Sequence, residues 1–173
     1  MEIRAIQTDD REGMEQFLRR IPEGERMFLK EDVEVPEVVD AWVRPGAARS
    51  IAVDDGAVIG YVAVVPLQGW SSHVGEVRVI VDPERRGRGI GRALARHAVL
   101  QALEIGLTKM VVEVVADQEA TIAMFRSHGF DPEALLKDHV RDGNGELHDL
   151  MILAHAVEEA HAAMAAAGIE ESL

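Results

Sequence analysis

The sequence predicts an α+β fold, a single domain with a central mixed, mostly antiparallel sheet flanked by helices. Three observations lead there. Short strand-like segments separated by turn signals fill much of the first half. Between residues 73 and 115 a strand-like segment, a glycine-rich loop, an amphipathic segment and a buried apolar run follow in succession. Two more strand-like segments meet at Asp142-Gly143-Asn144-Gly145. At 173 residues the chain suits one domain and is long enough to bury a sizeable core.

Taken in order, Glu2 to Ile6 reads as a first strand, and Thr8-Asp9-Asp10 offers N-cap chemistry to a helix reaching about Arg20. Residues 21–36 are polar and acidic, carry Pro22 and Gly24, and read as a mobile connection with one helical turn. A short helix over Glu37 to Val43 stops before Pro45-Gly46. Ser50 to Val53 and Ala57 to Val65 are strands joined at Asp54-Asp55-Gly56, a hairpin signal. In the strand His73 to Val81, Val77, Val79 and Val81 share one face, and Glu76, Arg78 and Ile80 the other. Ile90, Leu94, Ala98, Ala102 and Ile105 recur at helical spacing, with Gly106 where a helix stop is expected. Met110 to Val115, apolar except for Glu113, reads as a buried central strand.

Glu119 to His128 is a helix closed by Gly129, and Glu146 to Leu153 is the last strand. The alanine-rich run from Ala154 to Leu173 is predicted helical, so that a domain over residues 1–154 carries a C-terminal extension over 155–173. The extension's thin apolar stripe, Val157, Met164 and Ala167, suits packing on its own domain or a homodimer contact.

Composition excludes several functions. With 18 Lys+Arg against 31 Asp+Glu the net charge is −13, which disfavours nucleic acid and anionic membranes. It serves either solubility or the attraction of a cationic substrate. The absence of cysteine removes disulfides and thiolate chemistry. Neither an apolar leader nor a stretch of membrane-spanning length is present, and a cytoplasmic location is the default expectation.

Against this acidic background Arg85, Arg86, Arg88, Arg92 and Arg96 fall together with no acid between them, interleaved with Gly87, Gly89 and Gly91. Glycine lets the backbone approach a ligand closely, and the first amides of the following helix have no intrahelical acceptor. Such a loop binds anions. A solvated, arginine-rich turn is the plainer reading, and glycines at every second position favour the cradle. A P-loop would need Gly-Lys-Ser/Thr where Gly91-Arg92-Ala93 stands, and the dinucleotide spacing Gly-x-Gly-x-x-Gly is also broken.

Val81, Pro83, Arg86-Gly87-Arg88-Gly89-Ile90-Gly91, the strand Met110 to Val115 and Gly129-Phe130, with Ile3-Arg4-Ala5 leading into Asp9-Asp10, resemble the GCN5-related N-acetyltransferases over residues 2–154. The resemblance implies a GNAT-like domain that binds acetyl-CoA as acyl donor. Amides of Arg86, Gly87, Arg88, Gly89, Ile90, Gly91 and the neighbouring Arg92 would meet the pyrophosphate, and backbone near Val79, Ile80 and Val81 the pantetheine arm. It also implies an amine acceptor, either a small molecule or a protein lysine or N-terminus. Gln118 stands where the family often has asparagine. Phe125 occupies the position of a tyrosine that, in many members, protonates the departing thiolate; Tyr61, on an earlier strand, cannot take that role.

An amine must lose a proton before it attacks an acyl group. Glu76 is the first candidate base, at a position that serves as base in some members the segment resembles. Alternatively it is a surface glutamate on a strand, paired with Arg78 or its neighbours. Glu113 is the second, since a charge in an apolar strand needs a partner or a use; Arg126 or solvent would account for it otherwise. His139 and His148, facing each other across the late hairpin beside Asp149, either form surface hydrogen bonds or shape the acceptor pocket. With no His-x-x-x-His spacing and no cysteine, no metal is assigned. An acyl-CoA sensor without turnover is the alternative, motivated by Phe125.

Overall fold

A computed structural model describes residues 1–26 and 29–157. Its strands are β1 (Glu2–Ala5), β2 (Arg49–Asp54), β3 (Ala57–Pro66), β4 (Val74–Val81), β5 (Lys109–Val115), β6 (Asp131–Arg141) and β7 (Leu147–Ala156). The described helices are α1 (Arg11–Arg20), α2 (Glu23–Arg26), α3 (Pro36–Trp42), α4 (Ile90–Glu104) and α5 (Glu119–Arg126). One sheet runs in the order β1-β2-β3-β4-β5-β7-β6. Its single parallel pair is β4 with β5. The expected α+β class and mixed, mostly antiparallel sheet are observed.

Local chemistry explains the starts and stops. Thr8–Asp10 forms a 3₁₀ turn rather than the start of α1, and the Gln7 amide donates to Asp10 Oδ2 at 2.8 Å. The β2–β3 turn has positive φ at both Asp55 and Gly56, the geometry whose twist matches antiparallel strands. Within residues 21–36 the expected helical turn is α2.

The chain's end corrects the sequence expectation. Ala154–Ala156 continue β7 instead of opening a helix, because Lys109 to Val115 offers a partner along the whole length, down to Lys109↔Ala156. Pairing with a buried strand overrides alanine's helical preference. Val157 is fully buried in the domain core. The rest of the predicted extension, residues 158–173, lies outside the described residues.

Both faces of the sheet are covered, which is why β3 is an unbroken apolar run. On the α4–α5 face Val62, Val77, Leu94, Met110, Phe130 and Leu153 pack together. On the α1–α3 face Met14, Phe17, Ile21, Trp42, Ile51 and Tyr61 form a second core. Each large side chain buried in this way contributes about 1.5–3 kcal/mol. Gly60 lets α4 sit close on β3: a Cβ there would lie 2.8 Å from Leu94 Cδ1 and 3.2 Å from Ile90 Cγ2. The helix start, and with it the glycine loop, is thereby held over the end of β4.

Candidate active site

β4 and β5 pair only at Val74↔Lys109, Gly75↔Met110 and Glu76↔Val111. Beyond Glu76 they part, while β4 stays paired to β3 through Val81 and β5 to β7 through Val115. The gap is a cleft of ≈ 1040 Å³ whose walls include Val77–Val81 and Val112–Val115. At its outer end the glycine loop closes it, with Arg86, Gly87, Gly89, Ile90, Gly91 and Arg92 among the lining residues. Gln118 and Phe125 line it from the α5 side; Arg88 is outside the lining.

The loop leaves its backbone amides open. Gly87 has φ +76 and Gly89, the N-cap of α4, φ +82, and a Cβ at either would meet nothing within 4 Å. Among the described residues no backbone carbonyl accepts from the amides of Gly87 to Arg92, and Ala93, bonded to Gly89 O at 3.0 Å, is the first to be paired. This run of free N–H groups at the positive end of a 15-residue helix fits a diphosphate.

The arginine island is less free than the sequence suggests. Arg86 forms a two-nitrogen ion pair with Glu25 of α2, and Arg85 lies 3.8 Å from Asp54. Among the described residues no ion pair engages Arg88, Arg92 or Arg96.

At the inner end of the cleft, on the opposite face of the sheet from the α4 core, Glu76 and Glu113 share one cation. Lys30 Nζ lies 2.8 Å from Glu76 Oε1 and 2.6 Å from Glu113 Oε2. The Arg126 partner considered for Glu113 is therefore replaced by Lys30. Glu76 is 9% exposed and also accepts from Arg78 Nε at 3.2 Å and Nη2 at 3.3 Å. Burial raises its carboxyl pKa, but the hydrogen bonds from Arg78 and Lys30 outweigh this and hold it below the usual range. Glu76 thus pairs with Arg78, as the plainer expectation had it, but it is buried rather than on the surface and shares Lys30 as well.

The segment carrying Lys30 is anchored from below. Arg78 Nη1 donates to Leu29 O at 3.3 Å and lies 3.4 Å from Glu31, which in turn accepts from Trp42 Nε1. Arg49 stands 5.1 Å over the Trp42 ring and donates to Tyr61 Oη. Tyr61 stacks on Trp42 at 4.7 Å and is pushed up to about 12, chiefly by burial. That phenol belongs to the core.

A second groove, of ≈ 870 Å³, shares Val115, Asp117 and Gln118 with the cleft and runs between the α2 segment and the β6–β7 turn. Its lining carries Glu23, Glu31, Asp32, Glu34, Asp117 and Asp142 against Arg26 and Arg141. His148, also in the lining, sits 3.3 Å from Asp142 Oδ2 and 3.6 Å from Asp117 Oδ2. His139 does not face it, because a register shift between Leu136 and Val140 sets Val140 opposite His148. Asp142, Glu146 and His148 bring ligand-type atoms within 4.8 Å of one another, but Asp142 Oδ1 already accepts from the amides of Asn144 and Glu146.

Phe125 is 2% exposed and packs edge-on against Phe130 at 5.2 Å. Lys30, Glu25 and Glu31 escaped the sequence reading, since residues 21–36 show only an acidic, aperiodic composition. A lone lysine ahead of two acids, in Lys30-Glu31-Asp32, is the one signal that could have marked the segment.

The family model for the acetyltransferase (GNAT) family matches residues 12–130. The chain belongs to this family. Among relatives, the uncharacterized N-acetyltransferase YjgM of Escherichia coli K12 is 30% identical over 101 residues, covering 58% of this chain and 60% of that protein. A mycothiol acetyltransferase of Kocuria rhizophila is 37% identical over 81 residues, 45% of this chain and 27% of that protein. The chain thus spans less than two thirds of either relative. An N-acetyltransferase from Staphylococcus aureus Mu50 superposes with a TM-score of 0.79 at 18% identity, covering 90% of this chain and 98% of that one. The structure of yncA from Salmonella typhimurium, which includes its cofactor acetyl-CoA, gives 0.77 at 21%, covering 91% and 94%. These last two likenesses establish the GNAT fold.

Proposed function

We propose that this GNAT domain transfers an acetyl group from acetyl-CoA to the primary amine of a cationic acceptor. The observation that carries the reading is the Lys30 ammonium held between Glu76 and Glu113 at the inner end of the cleft. A primary ammonium is what such an acceptor presents, since an alkylammonium has a pKa near ~10 and arrives protonated. The chain's own lysine stands in for it.

Acetyl-CoA enters as the donor substrate, a reading supported by the structure of yncA, which includes acetyl-CoA as its cofactor. Amides of the loop Arg86 to Gly91 would receive its pyrophosphate, and β4 backbone beyond Glu76, unpaired with β5, the pantetheine arm. Glu76 takes the proton from the acceptor ammonium, and Glu113, two residues beyond the Glu76↔Val111 pair, holds the positive charge in place. Backbone N–H groups near Val79 and Ile80 stabilise the developing oxyanion. The acid-lined second groove adds attraction for positive charge carried elsewhere on the acceptor.

A non-catalytic acyl-CoA sensor is favoured by one observation, the buried, hydroxyl-free Phe125 in the wall of the cleft. Measuring thiol release from acetyl-CoA against a panel of mono- and polyamines, neutral amines and lysine peptides separates the two. Turnover with cationic amines is expected. Saturable acetyl-CoA binding with no thiol release from any amine would establish the sensor instead.

A further inference from the structure

We propose that Lys30 is itself an acceptor, so that the domain acetylates its own Lys30 Nζ within one chain. The inference rests on the donor reading above. Lys30 lines the donor cleft, and its Nζ touches both carboxylates assigned to the acceptor ammonium. Its backbone adopts φ +60, a conformation that costs a residue with a Cβ about 1 kcal/mol or more and persists only where its surroundings impose it. The anchoring bond from Arg78 to Leu29 O helps impose it. The other two lysines of the chain, Lys109 and Lys137, are outside the cleft lining. Lys109 is instead paired with Glu133 at 2.6 Å.

The chemistry balances with acetyl-CoA alone. Glu76 takes one proton from the Lys30 ammonium. The freed amine forms a C–N bond to the acyl carbon as the C–S bond breaks, and a second proton from the nitrogen goes to the departing thiolate. The products are acetyl-Lys30, the CoA thiol and the proton held by Glu76, which passes to solvent. An amide carries no charge, so both ion pairs dissolve and Glu76 and Glu113 open to an ammonium from outside.

The test is time-resolved peptide mapping of the whole chain incubated with acetyl-CoA and no added amine. Lys30 should gain its acetyl group about tenfold or more faster than Lys109 and Lys137, with loss of tryptic cleavage after Lys30, and with a rate per chain unchanged by dilution. Glu76→Gln should bring Lys30 down to the rate of the other two. Should that variant unfold, Lys30→Arg in folded protein should reduce acetyl retained on the chain to the surface-lysine background. Equal labelling of the three lysines, or a Lys30 rate unaffected by Glu76→Gln, would overturn the proposal. Transfer to free amines with Lys30 unmodified would overturn self-acetylation and leave the amine acetyltransferase standing, whereas absence of transfer to any amine, Lys30 included, would overturn both.

Discussion

Glu25 on α2 holds Arg86 of the glycine loop, with Nη1 donating to Oε1 at 3.1 Å and Nη2 to Oε2. A carboxylate thus stands beside the amides proposed for the donor's pyrophosphate and would compete with it for the guanidinium. Glu25→Gln should release Arg86 and tighten CoA binding about three- to tenfold, up to about 1.4 kcal/mol. The gain should shrink with added salt. Stability should change by no more than ~1 kcal/mol, as for other part-exposed pairs. Calorimetric titration at two ionic strengths checks this, and an unchanged Kd would mean that Arg86 does not meet the donor.

Gly89→Val tests the cradle itself. At φ +82 a β-branched residue is strained, and its side chain would fill the open space over the loop amides. CoA affinity should fall more than about tenfold, or about 1.4 kcal/mol. Full affinity in a folded variant would move the donor site elsewhere.

Glu76→Gln keeps the shape of the side chain and removes its basicity. Turnover at saturating substrates should drop about 10² at neutral pH and recover in part as pH rises and the amine deprotonates unaided. Because the folded carboxyl lies below its ordinary value of 4.5, its ion pairs contribute stability fully above that pH, and the contribution is lost as pH falls through the lower folded value. The variant should therefore lose less stability than the parent on acidification. A parent-like pH–rate profile would make Glu76 structural and direct the same substitution to Glu113.

Phe125→Tyr places a hydroxyl in the cleft wall on a nearly isosteric ring. If water or the amine's own proton already serves the thiolate, the rate should rise less than about threefold, small against the 10² to 10⁴ of a positioned acid. A hundredfold rise would show that the parent lacks its acid and favour the sensor.

The parts of the site that were legible in the sequence are those that one stretch of chain encodes alone. Strand, glycine loop, helix and buried strand follow one another from His73 to Val115, and their chemistry is read off adjacent residues. The contacts that residues 21–36 make with the cleft are long-range: at its inner end Lys30 meets Glu113 across 83 positions, and at the glycine loop Arg86 meets Glu25 across 61. No periodicity marks such pairs, and α2, four residues long, has too little pattern to place its own face. The same reason explains β7, where residues 154–156 look helical until the buried edge of β5 is known.

The three pairs that join β4 to β5 also decide how the molecule can deform. Mechanically the sheet is two panels, β1–β4 and β5–β7, sharing a short spine at Val74, Gly75 and Glu76. The angle between the panels sets the width of the cleft, so a change at the spine reaches the cleft walls from a distance. Gly75 lies in that spine, and a Cβ there would come 2.4 Å from Leu107 Cδ1 and 3.0 Å from Val64 Cγ1. A single methyl at that point would have to displace the buried Leu107 side chain that packs on the spine.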